Sequence, residues 1–129
     1  MVGHLFSLFV MEEAKGNLDQ GSELIDKKEY VEANKLLTEG ISKIDSIKND
    51  NIENRKLYYD LLLKRSFCSF LQENYDSAEE DVNTLFKCCE DKKEDQKETE
   101  LQIQTLSAAH FRLGQVSELR GNLLKCLTE

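Results

Sequence analysis

The chain has 129 residues, of which 40% are hydrophobic and 33% charged, with six glycines and no proline; that composition suits one compact, helix-rich domain that needs no metal or disulfide staple, rather than a disordered tail. A formal net charge of -8 excludes general nucleic-acid binding, because neutralising phosphates takes a clustered excess of lysine and arginine. No metal or cofactor is expected: Cys68, Cys88, Cys89 and Cys126 make no C-x-x-C pair and only His4 and His110 accompany them, so reduced, partly buried thiols are the expected state.

The first eleven residues, MVGHLFSLFVM, form an apolar leader. It lacks the basic start and the small-residue cleavage site of an export signal, and it is too short to span a bilayer. A cytoplasmic protein, with the nucleus as an alternative compartment and no membrane insertion, is the expectation. An alternative start at Met11 would make residues 1–10 an extension.

From residue 12 onward, apolar and small residues recur three and four apart, as in Leu57, Leu61, Leu62, Ser66, Cys68 and Ser69; this is helical spacing, not strand alternation. Two polar, highly charged tracts, 45–54 and 90–100, read as connections. Shorter breaks at Lys27-Lys28-Glu29, Glu73-Asn74 and Gly114-Gln115 divide each part into two helices that must pack antiparallel. The reading is all-α, with six helices at about 12–27, 30–47, 53–73, 76–90, 95–113 and 116–128. They pair as hairpins over about 12–47, 53–90 and 95–128 within one domain, 12–129.

Aligning the starts of the second helices exposes an internal repeat: Tyr30-Val-Glu-Ala33, Tyr75-Asp-Ser-Ala78 and Val116-Ser-Glu-Leu119. Nine residues before each anchor stands a small residue, Gly21, Ser66 or Ser107; seven after it comes Leu37, Val82 or Leu123, and ten after it Gly40, Leu85 or Cys126. This pattern resembles the tetratricopeptide repeat (TPR), in which a small residue lies mid-first-helix and the second helix opens Tyr-x-x-Ala. The likeness covers residues 13–128 and is strongest in the first two repeats. The anchors lie 45 and then 41 residues apart, against about 34 in the family, and the family's terminal proline is missing. An ordinary antiparallel helical bundle would also give this periodicity.

The resemblance implies a short right-handed solenoid in which Gly21, Tyr30, Ala33, Ser66, Tyr75, Ala78 and Ser107 pack the repeats and the first helices line a concave, largely apolar groove. Mapped onto this chain, that inner face is Lys15, Leu18, Asp19, Ser22, Ile25 and Asp26, then Asp60, Leu63, Lys64, Phe67, Phe70 and Leu71, then Leu101, Gln104, Thr105, Ala108, Phe111 and Arg112. The peptide-binding residues expected from it are Leu18, Ile25, Leu63, Lys64, Phe67, Phe70, Phe111 and Arg112, some of the phenylalanines alternatively being core. Such a protein is an adaptor that holds a peptide or helix of a protein partner.

Two alternatives stand beside it. Co-chaperones of this family grip acidic C-termini through a lysine-and-asparagine clamp, but its positions here carry Leu18, Ser22, Lys64, Leu101 and Thr105, with one cation. A scaffold or self-association module would use the leader's Leu5, Phe6, Leu8, Phe9 and Val10, or the apolar C-terminal helix with Leu123, Leu124 and Leu127, to form a homodimer, by exchange in the leader's case. Catalysis is not expected. No nucleophile clusters with an acid–base partner, there is no phosphate-binding glycine loop and no H-E-x-x-H run, and adjacent Cys88 and Cys89 on a helix point their thiols apart.

Overall fold

The computed structural model describes residues 2–90 and 96–128, and side-chain surroundings for 5–90 and 96–122. Those residues form five helices and no strand: α1 (Val2–Asp26), α2 (Tyr30–Asp45), α3 (Ile52–Leu71), α4 (Tyr75–Cys88) and α5 (Gln96–Thr128). Part of the expected 90–100 connection, residues 91–95, lies outside the described residues.

The first two hairpins close with the same backbone device. Lys28 and Glu73 both take φ 63°, the left-handed region that ends a helix. Around the first, the Lys28 amide donates to Ile25 O (2.9 Å) and the Glu29 amide to Leu24 O (2.8 Å); around the second, the Glu73 amide donates to Phe70 O (3.0 Å) and the Asn74 amide to Ser69 O (2.9 Å). Both sets use up carbonyls that the helix end would otherwise leave unpaired. The link between the hairpins is shorter than the expected 45–54 tract, since α3 begins at Ile52. There Asn51 Oδ1 accepts from the Asn54 amide at 2.8 Å, and Asn54 Nδ2 donates to Ile47 O at 3.0 Å, so the cap and the loop hold each other.

Helix α3 is the hub and packs against all four others; α1 also meets α2, and α4 meets α5. Its central place follows from its sequence. Leu57, Tyr58, Tyr59, Leu61, Leu62, Cys68 and Ser69 are buried on several sides of the helix, as a helix covered all round requires. Leu37 and Ile44 from α2 and Val82 and Leu85 from α4 are fully buried with Leu61 and Leu62, each worth roughly 1.5–3 kcal/mol as burial alone.

Among the positions expected to pack the repeats in the first two hairpins, Gly21, Ala33, Ser66 and Ala78 are enclosed, and Tyr30 and Tyr75 are half-buried. A Cβ added to Gly21 would stand 2.8 Å from the Leu37 side chain, so only glycine admits α2 this closely. Ala33, Ser66 and Ala78 are fully enclosed, and Ser66 Oγ donates to Leu63 O at 2.8 Å. Tyr30 is half-buried against the core, with its carbonyl near Cys68 Sγ (3.3 Å), and Tyr75 lies against Phe70 at 6.0 Å between ring centroids.

The chain ends depart from expectation. Helix α1 starts at Val2, so the leader is its first turns rather than a separate segment; at 1.5 Å per residue α1 is ~37 Å long against ~24 Å for α2. Its overhang leaves Leu5, Phe6, Leu8 and Phe9 exposed, and Val10 is the first residue to enter the core. The expected break at Gly114-Gln115 is absent: α5 runs unbroken through both residues, and five helices rather than six are present among the described residues. A lone glycine costs a helix only about 1 kcal/mol, Gly114 does not take positive φ, and the unbroken helix keeps Val116 buried and Arg120 paired with Asp76 and Glu79 of α4. With no third hairpin, Ser107 is exposed instead of at a helix contact. The side chains of Leu123, Leu124, Cys126 and Leu127 lie outside the described residues.

Candidate functional site

Three helices of like direction, α1, α3 and α5, leave an open cleft of about 550 Å³ between them. Leu18, Asp19 and Ser22 come from α1, Asp60, Leu63, Lys64 and Phe67 from α3, and Arg112 from α5. A second hollow of about 340 Å³ continues it toward the start of α1 and α3, sharing Leu18, Asp19 and Asp60 and adding Met11 and Leu57. Periodicity explains the shared wall: residues 11, 15, 18, 19 and 22 form one helical stripe, and so do 53, 56, 57, 60, 63, 64 and 67.

Arg112 forms the far wall. Its guanidinium lies over Phe67 at 4.5 Å from the ring centroid and 5.4 Å from that of Phe70, an attraction between a cation and the ring quadrupole that strengthens away from water. It donates to Gln115 Oε1, but no carboxylate pairs with it among the described residues. Burial lowers its pKa from the usual arginine range. Asp60 is in the converse position: burial raises its pKa, partly offset by Lys56 and Lys64, one turn either way along α3. It makes no hydrogen bond or close ion pair among the described residues.

The expected groove residues divide into two groups. Leu18, Leu63, Lys64, Phe67 and Arg112 line the cleft together, and Phe70 supports it from behind Arg112. Ile25 belongs to the core, because it lies where α1 turns over and its carbonyl receives the Lys28 amide. Phe111 is 65% exposed on the outside of α5; being about 100° round the helix from Arg112, it cannot share its direction. Of the remaining mapped positions, Leu101 and Thr105 are buried, and Gln104 and Ala108 are exposed. Two of the five clamp positions, Leu101 and Thr105, thus do not reach the cleft.

Sequence reasoning did not find the charge pairs that fix α5 and α4 around α3. Arg65 donates to both oxygens of nearly buried Asp81, at 2.9 and 2.6 Å. Arg55 pairs with Glu98 in surroundings that leave both side chains largely covered. Each joins residues on different helices, so only the interhelical register reveals them, and no local motif announces them.

Among the described residues no group of histidine, cysteine, aspartate and glutamate could hold a metal ion, and no helix is long and apolar enough to cross a membrane. Burial raises the thiol pKa of Cys68, Cys88 and Cys89, which keeps them protonated and weakly nucleophilic. The His110 ring lies against Phe86 at 4.7 Å between centroids, tilted by 48°. No protein-family model matches the chain, and no curated protein or solved structure matches it significantly.

Proposed function

We propose that this chain is a protein-interaction adaptor of TPR-like build, two stacked hairpins followed by a long closing helix, which holds a helix or peptide of a protein partner in the cleft between α1 and α3. The observation that carries the reading is the convergence of Leu18, Leu63 and Phe67 from two parallel helices onto one open, mixed apolar and charged hollow walled by Arg112. Support for the repeat comes from the shared turn geometry, which recurs at Lys28 and Glu73 at the same 45-residue offset as the Tyr-x-x-Ala starts. Side chains such as Leu63 and Phe67 each offer roughly 1.5–3 kcal/mol when a ligand covers them, before ordering costs are subtracted. The adaptor works by binding alone and needs no cofactor or metal.

Phe67→Asp tests this directly. Ligand capture by the full chain should be lost while helicity and mass in solution stay unchanged; capture that survives the substitution would refute the cleft as the binding site.

A second reading, self-association, is favoured by one observation, the exposure of Leu5, Phe6, Leu8 and Phe9 on the overhang of α1. Light scattering on the full chain and on residues 11–129 separates it from the first. A dimer that becomes a monomer on shortening supports assembly through the leader, and equal masses refute it.

A further inference from the structure

If the chain is the adaptor described above, the cleft selects its ligand by charge as well as by apolar contact. The cleft carries two half-buried charges of opposite sign, Asp60 on α3 and Arg112 over Phe67; neither makes a direct ion pair, although Lys56 and Lys64, one turn either way along α3, act on Asp60. They do not pair with each other. Along α3, Asp60 and Phe67 are seven residues apart, two helical turns or ~10.5 Å. A desolvated charge without a partner costs stability, and a ligand group of opposite charge relieves that cost at the moment of binding. Elsewhere the chain pairs its part-buried arginines, Arg65 with Asp81 and Arg55 with Glu98, which makes Arg112 the exception.

The walls also restrict the backbone of the ligand. An extended peptide would leave its amides and carbonyls to be satisfied by the cleft. Neither hollow is lined by an asparagine or glutamine, whose paired donor and acceptor match a peptide group; the polar lining of the cleft is mainly charged, Asp19, Asp60, Lys64 and Arg112. The hydroxyl of Ser22 is already given to Leu18 O at 2.8 Å, and the main chains of α1 and α3 are occupied by their own helical bonds. A segment that satisfies its own backbone, a helix, meets these walls without loss. From Leu8, which precedes Met11 on the same stripe and is exposed, to Ser22 the wall runs about 21 Å, or roughly four turns of a bound helix.

We infer that the cleft takes an amphipathic helix of a partner protein that sets its apolar face on Leu18, Leu63 and Phe67, with an acidic side chain meeting Arg112 and, two turns away, a basic one meeting Asp60. The two charges fix which way the helix lies, since reversing it would set like charges together.

The probe is a display library of alanine-based helical peptides randomised along one face and selected against the full-length chain. Enriched peptides should carry Asp or Glu and Lys or Arg seven positions apart. Affinity should fall about tenfold with Arg112→Gln, and this loss should vanish for a peptide whose acid is replaced by its amide. Asp60→Asn, a near-isosteric change, should do the same for the basic position, which keeps the test sound if Arg112→Gln disturbs the packing of α5. Enriched peptides that lose binding to Phe67→Asp yet show no charge bias would overturn this inference and leave the adaptor reading standing. Peptides that tolerate a central proline would overturn the helical ligand. No enrichment, or enrichment indifferent to Phe67→Asp, would overturn the adaptor reading itself.

Discussion

Two kinds of turn position in this chain show opposite outcomes. At Lys28 and Glu73 side-chain-bearing residues take the left-handed conformation that ordinarily favours glycine. At Gly114, two residues before the third anchor just as Lys28 and Glu73 precede theirs, the residue best suited to that conformation remains helical and α5 continues. Glycine permits a turn; it does not make one. What makes the first two is the burial waiting on either side, where Gly21 lets α2 settle on α1 and Ser66 lies enclosed at the heart of the second hairpin. Beyond Gly114 the chain runs on and still buries Val116, and Arg120 pairs with Asp76 and Glu79 of α4 without folding back. The part of α5 before Gly114 reaches the cleft, where Arg112 lies over Phe67 and Phe70 while Phe111 faces outward.

The largest expected effect that sharpens the contrast is in the second hairpin. Arg65→Ala leaves Asp81, whose side chain is 7% exposed, as an unpaired buried charge and should cost about 3 kcal/mol in urea unfolding; a loss below about 1 kcal/mol would place that pair at the surface. Next comes Gly21→Ala. Its added Cβ meets Leu37 at 2.8 Å, so destabilisation of about 1–3 kcal/mol is expected from overpacking. Smaller effects with the opposite sign follow at the turns. Lys28→Gly and Glu73→Gly should each stabilise by roughly 0.5–1 kcal/mol, the relief of left-handed strain being partly offset by the greater freedom of glycine in the unfolded chain. Gly114→Ala should also stabilise, by up to about 1 kcal/mol, since its Cβ would meet open space; a loss of stability would reveal a turn there.

The smallest effect concerns pH. The pKa of Asp60 is raised in the fold by burial, so its ionisation weakens the folded state: its contribution is fully present below the ordinary carboxylate range and is lost as pH rises through the higher folded pKa. Asp60→Asn should therefore gain stability at neutral pH, and the gain should shrink as the solution is acidified below that range. A gain that is unchanged in acid would show that Asp60 is not held ionised in the cleft.

Much of the fold was legible because helical period and turn chemistry are local. Three helices, α2, α3 and α4, fall close to their expected spans, and the breaks at Lys27-Lys28-Glu29 and Glu73-Asn74 coincide with left-handed residues. Gly114-Gln115 was misread because the same local signal has no force unless folding back buries more than running on. The same limit applies in the site. Leu18 and Phe67 could be placed by stripe alone, whereas Ile25 lies beneath a turn and Phe111 sits on a helix whose rotation depends on α3 and α4. The Arg55–Glu98 and Arg65–Asp81 pairs depend wholly on interhelical register.

Backbone NMR across residues 107–120 asks whether α5 passes Gly114 unbroken while Arg112 forms the wall of the cleft. Helical Cα shifts and sequential amide contacts through Gly114 and Gln115, with ring-current shifts on the Arg112 side chain from Phe67 and Phe70, are the predicted result. Loss of helical shifts at Gly114, with contacts between the segments before and after it, would show a third hairpin and contradict the single long α5, and absent ring-current shifts on Arg112 would contradict its place over Phe67 and Phe70.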